Sequence, residues 1–368
     1  MFGKIPDFEL ERYFAKHEFS AKHLLCSSDA ETTSIGELLA LEKGAERKFL
    51  DLRMGYTESL GSPRLREEIA GLYETIRPEE VIITSGAQES IFLLANAALK
   101  QNGSVVVETP CYQSLYEMPA SLGCRVEKWA LMQKDGKWNA GMEKLAGFGK
   151  MDALVLNSPH NPTGHQFGRG EFEEIAGIAE RKSAMLISDE VYRFLEYDEK
   201  DRLPAACDIY ERAVSIGVMS KAFGLAGLRI GWIATKDAAL RKRFASLKDY
   251  TTICNSAPSE FLAEVALRNR KDVIGRIMGI IRRNLALLDG FFSRHAGRFA
   301  YEQPRAGTVA FPEIRAGDAK KFCSMALEQK GVLLVPSGKF NFGNRNFRVG
   351  YGRNSMPEAL EALEECLV

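Results

Sequence analysis

Seven short runs rich in β-branched and aliphatic residues cross the middle of the 368-residue chain, at 79–86, 104–110, 124–131, 152–159, 184–190, 213–221 and 228–235. Most stop at Gly, Ser, Pro or Asn, and helical patterns often follow: EEVIITSG leads into AQESIFLLANAALK, and DALVLNSP precedes a turn and then EFEEIAGIAERK. Strands that alternate with helices are joined by crossovers, which lay helices on both faces of a mostly parallel sheet. The sequence therefore predicts an α/β fold, and in such sheets the loops at the carboxyl ends of the strands hold the ligand.

The texture changes after about residue 255. Apolar residues at 274, 277, 281, 285, 288 and 292 recur three or four apart and predict one long amphipathic helix. Shorter strand-like runs follow (TVAFPEI, GVLLVPSG, NFRVGYG), with a terminal helix from Pro357. This predicts a smaller α+β domain, built from residues 1–48 and 256–368, beside a large α/β domain at 49–255.

Charge and cysteine content exclude several classes of function. Lys plus Arg equals Asp plus Glu, 49 each, which argues against a nucleic-acid binder with a broad basic face. The seven cysteines are scattered and form no Cys-x-x-Cys pair, and the five histidines make no ligand-like cluster, so neither a disulfide scaffold nor a metal site is expected. The stretch Val273 to Phe292 carries Arg276, Arg282, Arg283 and Asp289 and reads as a surface helix, not a membrane span. The opening MFGKIPDFELERYF breaks its apolar residues with acids and has no signal-type core, so a cytoplasmic protein is expected.

Four strand ends carry the chemistry. Ser85-Gly86 closes the first run just before a helix, where free amides and the helix dipole form an anion cup. NSPHNPTG, from 157 to 164, fixes an irregular loop that brings Asn157 and Asn161 to the crevice. Asp189 ends a buried run, where an acid is costly unless paired, and Tyr192 lies three residues beyond it. Lys221 ends the next run inside MSKAFGLAGLRIGW, among small or apolar residues, with Arg229 eight residues on. Desolvation lowers the pKa of a buried lysine, and a neutral amine attacks carbonyls. An anion cup, an amide, an acid and an amine together suit an aromatic aldehyde that bears a phosphate and a basic ring nitrogen, namely pyridoxal phosphate.

With HNPTG, SDEVY, SKAFGLAGLRIGW and FRVGYG in order, the chain resembles the fold-type I pyridoxal-phosphate enzymes of the class I/II aminotransferase family, from about Phe49 to the C-terminus. The resemblance implies a mostly parallel seven-stranded sheet with a smaller α+β domain. It implies that Lys221 is the Schiff-base lysine and proton shuttle, that Asp189 pairs with the ring nitrogen, and that Asn161 and Tyr192 bond the ring oxygen. Gly86, Ala87 and Gln88 would give amides to the phosphate, with Arg229 as its cation and Tyr112 against the ring face. Arg348 matches the arginine that grips the substrate α-carboxylate. Tyr56 matches a tyrosine that reaches the phosphate of a neighbouring subunit, which implies a homodimer with shared sites.

Two positions depart from the family pattern. Val218 stands where Ser or Thr often helps hold the phosphate, and Ser220 is the candidate to compensate. LLCSSDAE stands where a glycine often lies near the substrate, which places Ser27 or Ser28 there. The implied activity is transfer of an amino group between an L-amino acid and a 2-oxo acid. Alternatives are a lyase or cyclase of the same fold, such as a carbon–sulfur β-lyase, or a non-catalytic amino-acid sensor. No DNA-binding segment of the sensor type fits before residue 49, and no Gly-x-Gly-x-x-Gly supports a dinucleotide site.

Overall fold

The computed structural model describes residues 5–367; residues 1–4 and 368 of the expected smaller domain lie outside them. Seven strands form the main sheet: β1 (Val81–Thr84), β2 (Ser104–Thr109), β3 (Arg125–Ala130), β4 (Ala153–Asn157), β5 (Met185–Asp189), β6 (Ala213–Val218) and β7 (Gly231–Ala234). Their order is β1-β7-β6-β5-β4-β2-β3. The pairs β3/β2, β2/β4, β4/β5 and β5/β6 are parallel. Only β7 runs the other way, with Gly231 opposite both Thr84 and Val218.

The strand sequences explain the layering. β1, β2, β4, β6 and β7 are buried along their whole length, as strands covered on both faces must be. Alternate residues point to opposite faces. Val105, Val107, Val155 and Ile187 join one apolar core, while Val106, Leu154, Leu156 and Leu186 join a second. Edge strand β3 exposes Arg125, Glu127 and Lys128, charges that discourage pairing with another chain.

Helix α1 (Glu9–His17) lies at the start of the chain, α2 (Gly86–Ala98) follows β1, and α3 (Arg169–Arg181) follows β4. Ile91 and Leu94 of α2 enter the first core, and Phe172 and Ile175 of α3 enter the second, so the two helices cover opposite faces. The long helix expected from the 3.6-residue period is α4 (Arg270–Arg294), which buries Ile277, Ile281, Leu285, Leu288 and Phe292. Beyond it, the strand Phe347–Gly350 pairs antiparallel with Val309–Ala310 and Val335–Pro336. The first extended residues of the chain join this part: His23 and Leu24 pair with Val332 and Leu333. No helix among the described residues is long and apolar enough to cross a membrane.

Candidate active site

The carboxyl ends of β1, β4, β5 and β6 open on a cavity of about 380 Å³. Because β7 is antiparallel, its beginning, not its end, lies at the same rim, and this carries Arg229 there.

The anion cup is built by close approach. Gly86 opens α2 with φ +77°, and a Cβ on it would lie 2.5 Å from Arg229 Nη2. Gly231 is equally confined, since its Cβ would meet the Gly86 carbonyl carbon at 2.6 Å. Arg229 itself adopts φ +54°, and its Nη1 donates to the Ala226 carbonyl at 3.1 Å. It forms no ion pair among the described residues. A guanidinium at the positive end of a helix, with no acid beside it, is a site for an anion. Ala87, Gln88, Ser220 and Val218 line the cavity next to it.

The amine and the acid face the same space. Lys221 follows the end of β6 by three residues, and its Nζ donates to Ser28 Oγ at 3.0 Å. Asp189 is 5% exposed and lines the cavity without an ion pair to Lys221. Burial pushes its carboxyl up to about 7, against the opposing pull of the Val191 amide, 3.2 Å from Oδ1, and of the Lys221 charge. A buried acid so placed is ready to ionise beside a cationic partner.

A second anion site completes the cavity. Arg348 is 1% exposed. Its Nε donates to the Cys26 carbonyl at 3.1 Å and its Nη1 to Asn161 Oδ1 at 3.2 Å, while Nη2 has no partner among the described residues. One unsatisfied arm on a buried guanidinium is what a carboxylate ligand would fill.

Most of the predicted residues therefore meet. Lys221, Asp189, Tyr192, Asn161, Arg348, Arg229, Tyr112, Ser28, Ser220, Ala87 and Gln88 all border one cavity. Gly86 lies beneath its rim, where it sets a spacing. Tyr56 is 92% exposed and does not border the cavity of its own chain. The amine, acid, anion cup and orphaned guanidinium match the donor set of pyridoxal phosphate and an amino acid.

A family model described as aminotransferase class I and II matches residues 38–364. The chain belongs to this family. It is similar to capreomycidine synthase of Streptomyces vinaceus, 28% identical over 98% of this chain and 94% of that protein. A solved pyridoxal-phosphate-dependent aminotransferase from Streptococcus suis superposes with a TM-score of 0.93 at 28% identity, covering 99% of this chain and 98% of that one. The pyridoxal-phosphate-dependent cyclase OrfR superposes with a TM-score of 0.89 at 28% identity, covering 98% and 96%. This aminotransferase fold uses pyridoxal phosphate.

The structure gives Asn157 its partners and adds Glu108, His160 and Glu11, which the sequence did not single out. Asn157 anchors the loop after β4: its Nδ2 donates to the Asp189 carbonyl at 2.8 Å, and its Oδ1 accepts from the Asn161 amide at 2.7 Å. Behind it, Glu108 Oε2 accepts from the Asn157 amide at 3.0 Å, and Oε1 lies 3.9 Å from His160 Nε2. Burial raises Glu108 to about 8 and holds His160 well below its ordinary value, so both are neutral near pH 7. The tyrosine hydroxyls are also engaged by protein: Tyr192 donates to the Ser28 carbonyl at 3.1 Å and Tyr112 to Glu11 at 2.8 Å. The only signal for Glu11 was its spacing with Phe14 and Glu18 on the first helix, which does not reveal what that face covers.

Proposed function

We propose that this aminotransferase moves an amino group between an L-amino acid and a 2-oxo acid, with Lys221 as the group that carries the proton. Pyridoxal phosphate, when bound, supplies the electron sink that makes the substrate Cα–H acidic. Lys221 takes that proton and returns it at a neighbouring carbon, assisted by its hydrogen bond to Ser28. Asp189 would hold the ring nitrogen in its protonated form. The Gly86, Ala87 and Gln88 amides with Arg229 and Ser220 would hold the phosphate, Asn161 and Tyr192 would hold the ring oxygen, and Tyr112 would pack on the ring. Arg348 fixes the substrate carboxylate through its free arm. The observation that carries this reading is that Lys221, Asp189 and the unpartnered Arg348 Nη2 belong to one cavity.

The test is a half-reaction. Mixing the loaded enzyme with single amino acids should bleach the lysine-linked absorbance and yield the matching keto acid with aminated cofactor. No response to any amino acid would reject the reading.

A second reading, a lyase or cyclase of the same fold, is favoured by the similarity to a synthase and a cyclase along nearly the whole chain. Product analysis separates them: ammonia with pyruvate marks β-elimination, and a ring-closed amino acid without keto acid marks cyclisation.

The active form is a homodimer in this reading. Leu50, Met54, Tyr56, Tyr250 and Ile253 are exposed, and hydrogen bonds from Thr57 to Asn255 and from Ser59 to Asp249 hold their segments together. An apolar patch of this kind marks an interaction surface. Tyr56 would reach across it to the anion cup of a second copy. Residues 49–255 form the large domain, and 1–48 with 256–368 the small one, a division supported by the pairing of His23 with Val332. Seven free cysteines fit a cytoplasmic location.

A further inference from the structure

The outer wall of the cavity is helix α1, and nothing in the proposed chemistry uses it. Leu10, Glu11, Phe14 and Glu18 of this segment line the cavity. Steps of three and four residues place Glu11, Phe14 and Glu18 on one helix face. The Phe14 ring lies 5.6 Å from the Arg348 guanidinium carbon. The two acids therefore flank the carboxylate-binding arginine, displaced from Phe14 by roughly 4.5 Å (Glu11) and roughly 6 Å (Glu18) along the helix axis.

Among the described residues neither acid forms an ion pair, and Arg353 pairs with Asp29 instead. Among the described residues Glu11 accepts only from a neutral donor, the Tyr112 hydroxyl at 2.8 Å. Burial pushes Glu18, half-buried at the C-terminal end of α1, above the ordinary carboxylate range, against the pull of the Arg353 and Arg348 charges, and among the described residues no hydrogen bond reaches its carboxylate. The nearby Arg353 is already committed to Asp29, Nε to Oδ1 at 2.8 Å and Nη2 to Oδ2 at 2.7 Å. Once a substrate carboxylate occupies Arg348, the surplus charge on this wall is negative. A second carboxylate on the substrate would meet two acids, since Arg353 is paired with Asp29 and Arg229 is reserved for the phosphate.

We propose that this subsite takes an amino acid whose side chain ends in a cation, a guanidinium or an ammonium, held by Glu11 and Glu18 while Arg348 holds the α-carboxylate. The proposal rests on the reading of the cavity as an amino-acid site. The unpartnered Nη2 of buried Arg348 points independently to a carboxylate-bearing ligand in this cavity, and the acids specify its side chain.

The test compares L-arginine, L-ornithine, the neutral isostere L-citrulline, L-norleucine and L-aspartate on the loaded enzyme, by single-turnover absorbance. Arginine or ornithine should exceed its neutral counterpart in kcat/KM by about 10- to 100-fold, the range of one charge-assisted hydrogen bond; which of the two reacts better tells guanidinium from ammonium. In Glu18→Gln and Glu11→Gln the arginine-to-citrulline ratio should fall by about 10-fold, with cofactor content unchanged by absorbance. Calorimetric titration of cofactor-loaded Lys221→Ala with the same ligands should give the same order without turnover. Preference for aspartate or norleucine, or an unchanged ratio in both variants, overturns the proposal and leaves the proposed function standing. Silence from this panel overturns the side-chain preference, and the proposed function falls with it only where every other amino acid is silent too.

Discussion

The Lys221 amine donates to the Ser28 hydroxyl at 3.0 Å, and the Ser28 carbonyl is itself held by Tyr192 at 3.1 Å and Thr308 at 2.8 Å. The backbone here has little freedom, because a Cβ on Gly350 would overlap the Ser27 carbonyl oxygen at 1.9 Å. Ser28 thus acts as a fixed stop that aims the amine. Ser28→Ala should slow the half-reaction by about 10-fold, with Lys221 still trapped by borohydride. Lys221→Ala should slow it by about 10²–10⁴-fold and lose the trapped adduct. Rapid mixing and mass spectrometry check both, and a Ser28→Ala enzyme at wild-type speed would remove the serine from the mechanism.

Arg348 uses two arms on Cys26 and Asn161 and leaves one free. Lysine offers a single point charge and cannot hold both protein contacts while also forking a carboxylate. Arg348→Lys should raise KM for the amino acid at least about 10-fold, with the cofactor absorbance intact. Steady-state kinetics decide this, and an unchanged KM would mean that the substrate carboxylate binds elsewhere.

At Gly86 the constraint is steric. A methyl group there would sit 2.5 Å from Arg229 Nη2 and hold an L-residue at φ +77°. Gly86→Ala should cost about 1–3 kcal/mol of strain and push the guanidinium out of the anion cup. Equilibrium dialysis should then find the cofactor bound at least about 10-fold more weakly.

The buried pair behind the loop gives a pH prediction. Glu108, raised to about 8, keeps a proton that the unfolded chain releases above its ordinary 4.5, so its contribution to stability declines from there to about pH 8. His160 stays neutral when folded while the unfolded chain takes a proton below 6.5, so its contribution rises with pH up to that point. The slopes oppose each other below pH 6.5. Above it Glu108 acts without His160, joined by Asp189 only to about pH 7. Glu108 alone should cost about 2 kcal/mol between pH 6.5 and 8. Urea unfolding should show that loss in the wild type and a flatter profile in Glu108→Gln; an equal loss in both would assign it to other groups.

Local chemistry explains what could be read in advance. Asp189 was legible because it ends β5, and Asn161 and Lys221 because they follow the ends of β4 and β6 by four and three residues; strand ends of a parallel sheet converge whatever lies between them in sequence. Gly86 was legible as a helix start, but its contact with Arg229 was not, because that depends on β7 running antiparallel. Neither the Asp29–Arg353 pair nor the placement of α1 over Arg348 could be read. Both join residues more than 300 positions apart, where no periodicity connects them. Ser28 entered only through the family pattern, and the structure supplies its reason in the hydrogen bond to Lys221.

The reversal of β7 makes a ruler of the segment between Lys221 and Arg229. The Met219 amide bonds the Ile230 carbonyl at 3.0 Å, so both residues hang from one clasped loop. A single spacer residue inserted there would slide amine against guanidinium, whereas turns on the far side of the sheet are free to lengthen. Length drift among descendants of this chain should therefore be rarest in these eight steps, whichever amino acid each has come to use.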